Sequence, residues 1–187
     1  SKPWFVPSDA LSHFKHLENS FDDFKVQPLL PHQLSKLGPG MAWGDVDRDG
    51  DEDIFLGGAS GHGSTLALND GKGGFTLSKQ VDFSHREMNV VEDMGAVFLD
   101  ADADGDLDMV VANYNAKPNQ VYTNDGSGNF SDTGQLLGTA YSTALALGDI
   151  EADGDLDLVV GNINTQPNRV FSNDGSGNFS DTGQMLG

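Results

Sequence analysis

Two motifs recur along this chain with one shared period, and that period constrains the fold more than anything else in the sequence. The first is an acidic stretch with glycine at its sixth place: DVDRDGDED at 45–53, DADADGDLD at 100–108 and DIEADGDLD at 149–157. The second begins Asn-Asp-Gly and ends in phenylalanine, at Asn69–Phe75, Asn124–Phe130 and Asn173–Phe179. Each recurs after 55 and then 49 residues. Residues 124–138 and 173–187 differ at one aligned pair, Leu136 and Met185. Two motifs in step define a repeated structural unit, and the last two units are near copies of each other.

Each unit reads as four short strands. An apolar stretch precedes the acidic loop, at Met41–Trp43, Ala96–Phe98 and Leu145–Leu147. Another follows it, at Ile54–Leu56, Met109–Val111 and Leu158–Val160. Apolar runs bounded by turns suit strands buried on both faces. A third strand is expected at Thr65–Leu68, Gln120–Thr123 and Arg169–Ser172, and a fourth from Phe75, Phe130 and Phe179. The Asn-Asp-Gly stretch between them supplies the positive φ of a hairpin turn. Four antiparallel strands in about 50 residues is the build of a propeller blade. The expected fold is therefore all-β, with three visible blades at 38–92, 93–141 and 142–187. Residues 1–37 stand outside the period. Their apolar and aromatic positions (Phe14, Leu17, Phe21, Phe24, Val26) predict one or two extra strands against the first blade, or an outer strand for another.

The 10 basic and 29 acidic residues give a formal charge of -19. Nucleic acids and anionic membranes need clustered Lys and Arg, so this balance argues against both. It suits a chain that neutralises its carboxylates with cations. There is no cysteine, so disulfides contribute nothing. No apolar run approaches the roughly 20 residues of a membrane helix. The opening Ser1–Trp4 has no apolar signal core, so an export signal is absent or already removed.

The pattern Asp-x-Asp-x-Asp-Gly-x-x-Asp is that of a cation cage. Calcium takes 6–8 oxygens at about 2.3–2.6 Å. Alternate residues of a tight loop turn inward, so Asp45, Asp47 and Asp49 bring three carboxylates to one point, as do Asp100, Asp102 and Asp104, and then Asp149, Glu151 and Asp153. The glycine permits the sharp turn. Asp51, Asp106 and Asp155 then offer backbone carbonyls, and Asp53, Asp108 and Asp157 a fourth carboxylate as the next strand begins. Without a cation these charges repel, so some stay protonated or the loop opens. Three such loops in phase predict about three calcium ions. Magnesium fits a crowded all-protein cage less well. The second loop reads as the best formed; Glu151 makes the third longer by a methylene. An EF-hand needs Glu at position 12, where this chain has Leu56, Val111 and Val160. The nonapeptide β-roll also fails, because its Gly-rich period is missing.

These residues resemble the FG-GAP/VCBS repeats, the blades of integrin α-subunit propellers and of many secreted bacterial proteins. The resemblance covers about residues 37–187. It implies a propeller, usually of seven blades, with calcium on the loops of one face. It also implies extracellular binding, adhesion or scaffolding, with a protein or glycan as ligand. A closed ring takes about 4–8 blades, and three are visible. The expectation is a piece of a longer chain, or a ring or fibre completed by self-association.

Other signals are weaker. Asn129-Phe-Ser131 and Asn178-Phe-Ser180 match the glycosylation sequon inside a turn motif, which favours coincidence. His13, His16, His32, His62 and His85 have no zinc-site spacing. Trp4 and Trp43 read as core or blade-packing residues. No nucleophile elbow, phosphate loop or zinc-protease helix is present, and no enzyme is expected. The alternatives are the propeller part of a polysaccharide-degrading enzyme, for which Glu18, Asp22, Asp23 and Glu87 are weak candidates, and a passive spacer.

Overall fold

The computed structural model describes residues 8–12, 14–18, 20–31, 38–79 and 92–187. Twelve strands fall into three sheets of four. The first holds β1 (Met41–Gly44), β2 (Asp53–Leu56), β3 (Thr65–Asn69) and β4 (Phe75–Leu77). The second holds β5 (Asp93–Leu99), β6 (Asp108–Asn113), β7 (Lys117–Asn124) and β8 (Phe130–Ala140). The third holds β9 (Ser142–Gly148), β10 (Asp157–Asn162), β11 (Asn168–Asn173) and β12 (Phe179–Leu186). Each is an antiparallel meander in chain order. Short loops between adjacent strands leave no crossover to make, which is why every sheet takes the same order.

Alternation sorts the side chains into two faces. Ala42, Phe55 and Leu66 share one row of the first sheet. They form one core with Ala96, Met109, Val111 and Tyr122 of the second. The opposite face of the second sheet sends Leu99, Val110 and Val121 into a core with Leu158, Val160 and Phe171 of the third. Covered on both sides, β6 is buried at every residue. Each large side chain buried this way contributes about 1.5–3 kcal/mol. The first strands neighbour one another, β1 beside β5 and β5 beside β9. The sheets are thus blade-like layers in a row, and they do not close into a ring.

Two expectations differ from the structure. The described residues between 8 and 31 form no strand; their one regular element is a 3-10 turn at Asp23–Lys25. The Asp22 carboxylate accepts the Phe24 amide at 3.2 Å, a local bond that competes with a ladder. Pro28 and Pro31 lack amide donors altogether. This stretch nevertheless packs on the first sheet. The Phe14 ring meets Phe75 edge-on at 6.4 Å, and the His16 Nδ1 lies 3.1 Å from the Gly57 carbonyl oxygen. Trp43 is not in the core but half exposed, at 50%. It pairs with Ile54 on the face turned away from the second sheet. Trp4 lies outside the described residues. No helix among the described residues is long and apolar enough to cross a membrane.

Candidate metal centre

Each acidic loop joins the first two strands of a sheet. In the first, the Asp45 carboxylate accepts the Asp49 amide at 3.1 Å and the Gly50 amide at 2.9 Å. The Asp49 carboxylate accepts the Asp51 amide at 3.0 Å. The second and third loops repeat this scheme, with Asp100 accepting Gly105 at 3.1 Å and Asp149 accepting Gly154 at 3.2 Å. The glycine turns left-handed, at φ 94° for Gly50. The residue two places earlier does too, at φ 62° for Arg48 and Ala103 and 60° for Ala152, which sequence reading missed.

Carboxylate oxygens of Asp45, Asp47 and Asp49 lie within 4.8 Å of one another, as do those of Asp100, Asp102 and Asp108. Oxygens that far apart can share one ion at about 2.4 Å each, and the donor set is the hard-oxygen type that calcium prefers. Crowding shows in the proton affinities. Asp47 is raised above the ordinary aspartate range by burial first and then by the Asp49 charge. Asp102 is raised by burial and by Asp104. Glu151 is raised by desolvation, then by Asp157 and Asp153. Among the described residues, the third loop brings no three carboxylates as close.

The ninth-position aspartates do more than offer a ligand. Asp53 accepts the amides of Val46 at 3.0 Å and Asn69 at 2.7 Å. Asp108 does the same with Ala101 at 3.0 Å and Asn124 at 2.9 Å, and Asp157 with Ile150 at 2.7 Å and Asn173 at 3.0 Å. Each ties its loop to the end of the third strand. All three are buried. Burial pushes the Asp108 carboxyl up to about 6, against the pull of its two amides and with help from Asp102 and Asp104. Asp53 is raised for the same first reason. Each carboxylate oxygen keeps a second lone pair for an ion.

The seventh-position side chains lie against the Asn-Asp-Gly turn of their own sheet: Asp51 at Gly71, Asp106 at Gly126, Asp155 at Gly175. Within that turn Asp70 accepts the amides of Lys72 at 2.9 Å and Gly74 at 2.8 Å, which hold its pKa low, Gly74 most. The sequon residues Asn129 and Asn178 donate their side-chain amides to Asp125 and Asp174, each at 3.0 Å.

The turn also does something that the hairpin reading misses. Asn124 Nδ2 donates to the Val46 carbonyl at 2.7 Å, and the Gly128 amide joins it at 3.0 Å. Asn173 Nδ2 and the Gly177 amide hold the Ala101 carbonyl at 2.8 and 2.9 Å. The turn of one blade thus clasps the acidic loop of the blade before it. The shared period of the two motifs was the available signal. His62 sits in the β2–β3 connection and His16 beside Glu18, at 3.4 Å. His13, His32, His85 and Glu87 lie outside the described residues.

Four-stranded meander blades with an aspartate-rich loop between the first two strands define an acidic-loop repeat class. Residues 45–111 and 100–160 match the FG-GAP-like repeat, and the chain belongs to that family. No curated protein matches the chain. Among solved structures it is similar to a lectin of Agrocybe aegerita described for specific recognition of non-reducing terminal N-acetylglucosamine. The TM-score is 0.48 and the identity 23%, over 75% of this chain. The chain spans 36% of that structure's length.

Proposed function

We propose that this chain is an extracellular calcium-binding repeat module that serves binding, adhesion or scaffolding rather than catalysis. The observation that carries it is the convergence of carboxylate oxygens within 4.8 Å in the acidic loops of two successive blades, from the first, third and fifth places in one and the first, third and ninth in the other. Asp45, Asp47, Asp49 and Asp53 hold the first ion with the Asp51 carbonyl. Asp100, Asp102, Asp104 and Asp108 hold the second with the Asp106 carbonyl. Asp149, Glu151, Asp153 and Asp157 hold the third with the Asp155 carbonyl. Bound calcium neutralises each loop and fixes it for the clasp of the next blade. Family membership supports the extracellular setting, where calcium is millimolar and weak sites fill.

An ion at 100 times its dissociation constant adds about 2.7 kcal/mol per site. Thermal melting in EGTA, in millimolar calcium and in millimolar magnesium tests the reading. Calcium is expected to raise Tm well above both other conditions, with calorimetry giving about three ions per chain, one for each acidic loop. A Tm indifferent to calcium sinks it.

A further inference from the structure

The strands have two ends. The acidic loops and Asn-Asp-Gly turns lie at one. At the other lie the β2–β3 connection, the β6–β7 and β10–β11 turns and the start of β5. The stretch Ser20–Leu30, which repeats nothing in the blades, lies across that second end. Between this stretch and the blades is a cleft of about 1000 Å³. That is the upper size of a ligand pocket, and large enough for a few amino-acid residues.

Its walls are mostly apolar. Phe21, Val26 and Leu30 line one side, and Met94, Tyr114 and Ile163 the other. Phe21 is 56% exposed and Val26 67%, so the apolar surface faces the opening. Two adjacent blades present the same turn there, with Asn115 at φ 64° and Asn164 at φ 58°. The charges are uneven. Among the described lining residues, Asp22, Asp23 and Glu92 stand against one basic residue, Lys25, whose ammonium lies 3.8 Å from Asp22. Glu92 is half-buried. Its proton affinity is raised by desolvation first, then by Glu18, with His16 opposing.

We infer that this cleft binds a short peptide segment carrying a lysine or arginine beside an apolar side chain. An anionic ligand meets the wrong charge. A neutral sugar leaves the excess of carboxylates in the cleft without a counter-ion. A cation entering beside Glu92 replaces solvation that the carboxylate has lost, and a charge-assisted bond there is worth more than a neutral one. The neighbouring apolar side chain covers Phe21 and Ile163. The site is at the far end of the strands from the acidic loops, so it stands independently of calcium.

The test is calorimetry in calcium with the capped tripeptide Phe-Lys-Phe, its norleucine analogue and its glutamate analogue. The lysine peptide is expected to bind about tenfold or more tighter than the norleucine peptide, and the glutamate peptide not at all. Glu92→Gln should raise the Kd for the lysine peptide about tenfold and leave the norleucine Kd alone. Ile163→Ser should weaken both peptides alike. Circular dichroism and Tm confirm that each variant is folded. Equal binding of lysine and norleucine peptides overturns the inference. So does a Glu92→Gln variant that binds like wild type, or no saturation by about 5 mM peptide.

Discussion

The guanidinium of Arg48, in the first acidic loop, forms an ion pair with the carboxylate of Asp106 in the second. Its Nη2 also lies 3.4 Å from the Asp104 carbonyl oxygen. The equivalent positions in the other loops are Ala103 and Ala152, so only the first two loops are joined this way. Arg48 is a built-in counter-ion for an acidic loop. A divalent ion in that loop makes the guanidinium less valuable. Arg48→Ala should therefore cost about 1 kcal/mol in EGTA, a fall in Tm of about 3 °C, and clearly less in saturating calcium. Scanning fluorimetry under both conditions checks this; equal losses refute it.

Asp102→Asn should show opposite signs with and without calcium. Asparagine keeps the oxygen that accepts the Asp104 amide at 3.3 Å but removes a charge crowded by Asp104 and Asp100. In EGTA the variant should be as stable as wild type or more so. In calcium it should be less stable, because losing one anionic ligand weakens the site about tenfold or more. Urea denaturation in the two buffers reads both effects.

The metal-free protein should lose stability as pH rises from about 4 to 6. The folded chain holds the Asp108 proton up to about pH 6, whereas the ordinary aspartate value is 3.8. Between those values the folded state binds more protons than the unfolded state, so raising pH removes stability. The contribution is a few kcal/mol at most. Calcium should reverse the trend, since it needs the ionised carboxylate. Melting curves at pH 5 and pH 7, with EGTA and with calcium, check the sign. Asp108→Asn should flatten the metal-free slope.

Asn124 and Asn69 hold the same place in two repeats but should differ in value. Asn124 Nδ2 donates across the blade junction to Val46 and within its blade to the Leu107 carbonyl at 3.1 Å. Asn69 Nδ2 donates to the Glu52 carbonyl of its own blade at 3.1 Å, on an exposed surface. Asn124→Ala should cost about 2 kcal/mol and Asn69→Ala less than about 1, because only the first strips buried partners. Urea midpoints rank the two; the reverse order contradicts the clasp.

What the sequence disclosed and what it withheld follow from range. Strand and loop order were legible because both motifs are local: alternation, a glycine at the turn and acids at every second place are properties of nine residues. The pairing of Asp53 with Asn69 was not, because a carboxylate reads alike whether it meets an ion or an amide. The role of Arg48 was hidden for a similar reason. Within its own loop it is one exposed cation, and its partners are 56 and 58 positions away. The described residues between 8 and 31 misled because their apolar and aromatic side chains suggested strands packing on a blade, while the aspartate-led turn at Asp22 and two prolines decide otherwise. Trp43 misled because size suggests burial, and burial depends on which face a neighbouring sheet covers.

The clasp runs one way, from each turn back to the preceding loop. Val46 and Ala101, the clasped residues, are each 1% exposed; their counterpart Ile150 is 46% exposed, and its carbonyl meets no such donor among the described residues. The two loops whose carboxylates converge are the two that are held. The geometry of one acidic loop is therefore partly written in the sequence of its successor. Grafting a single acidic loop elsewhere would transplant the ligands without the hand that closes them.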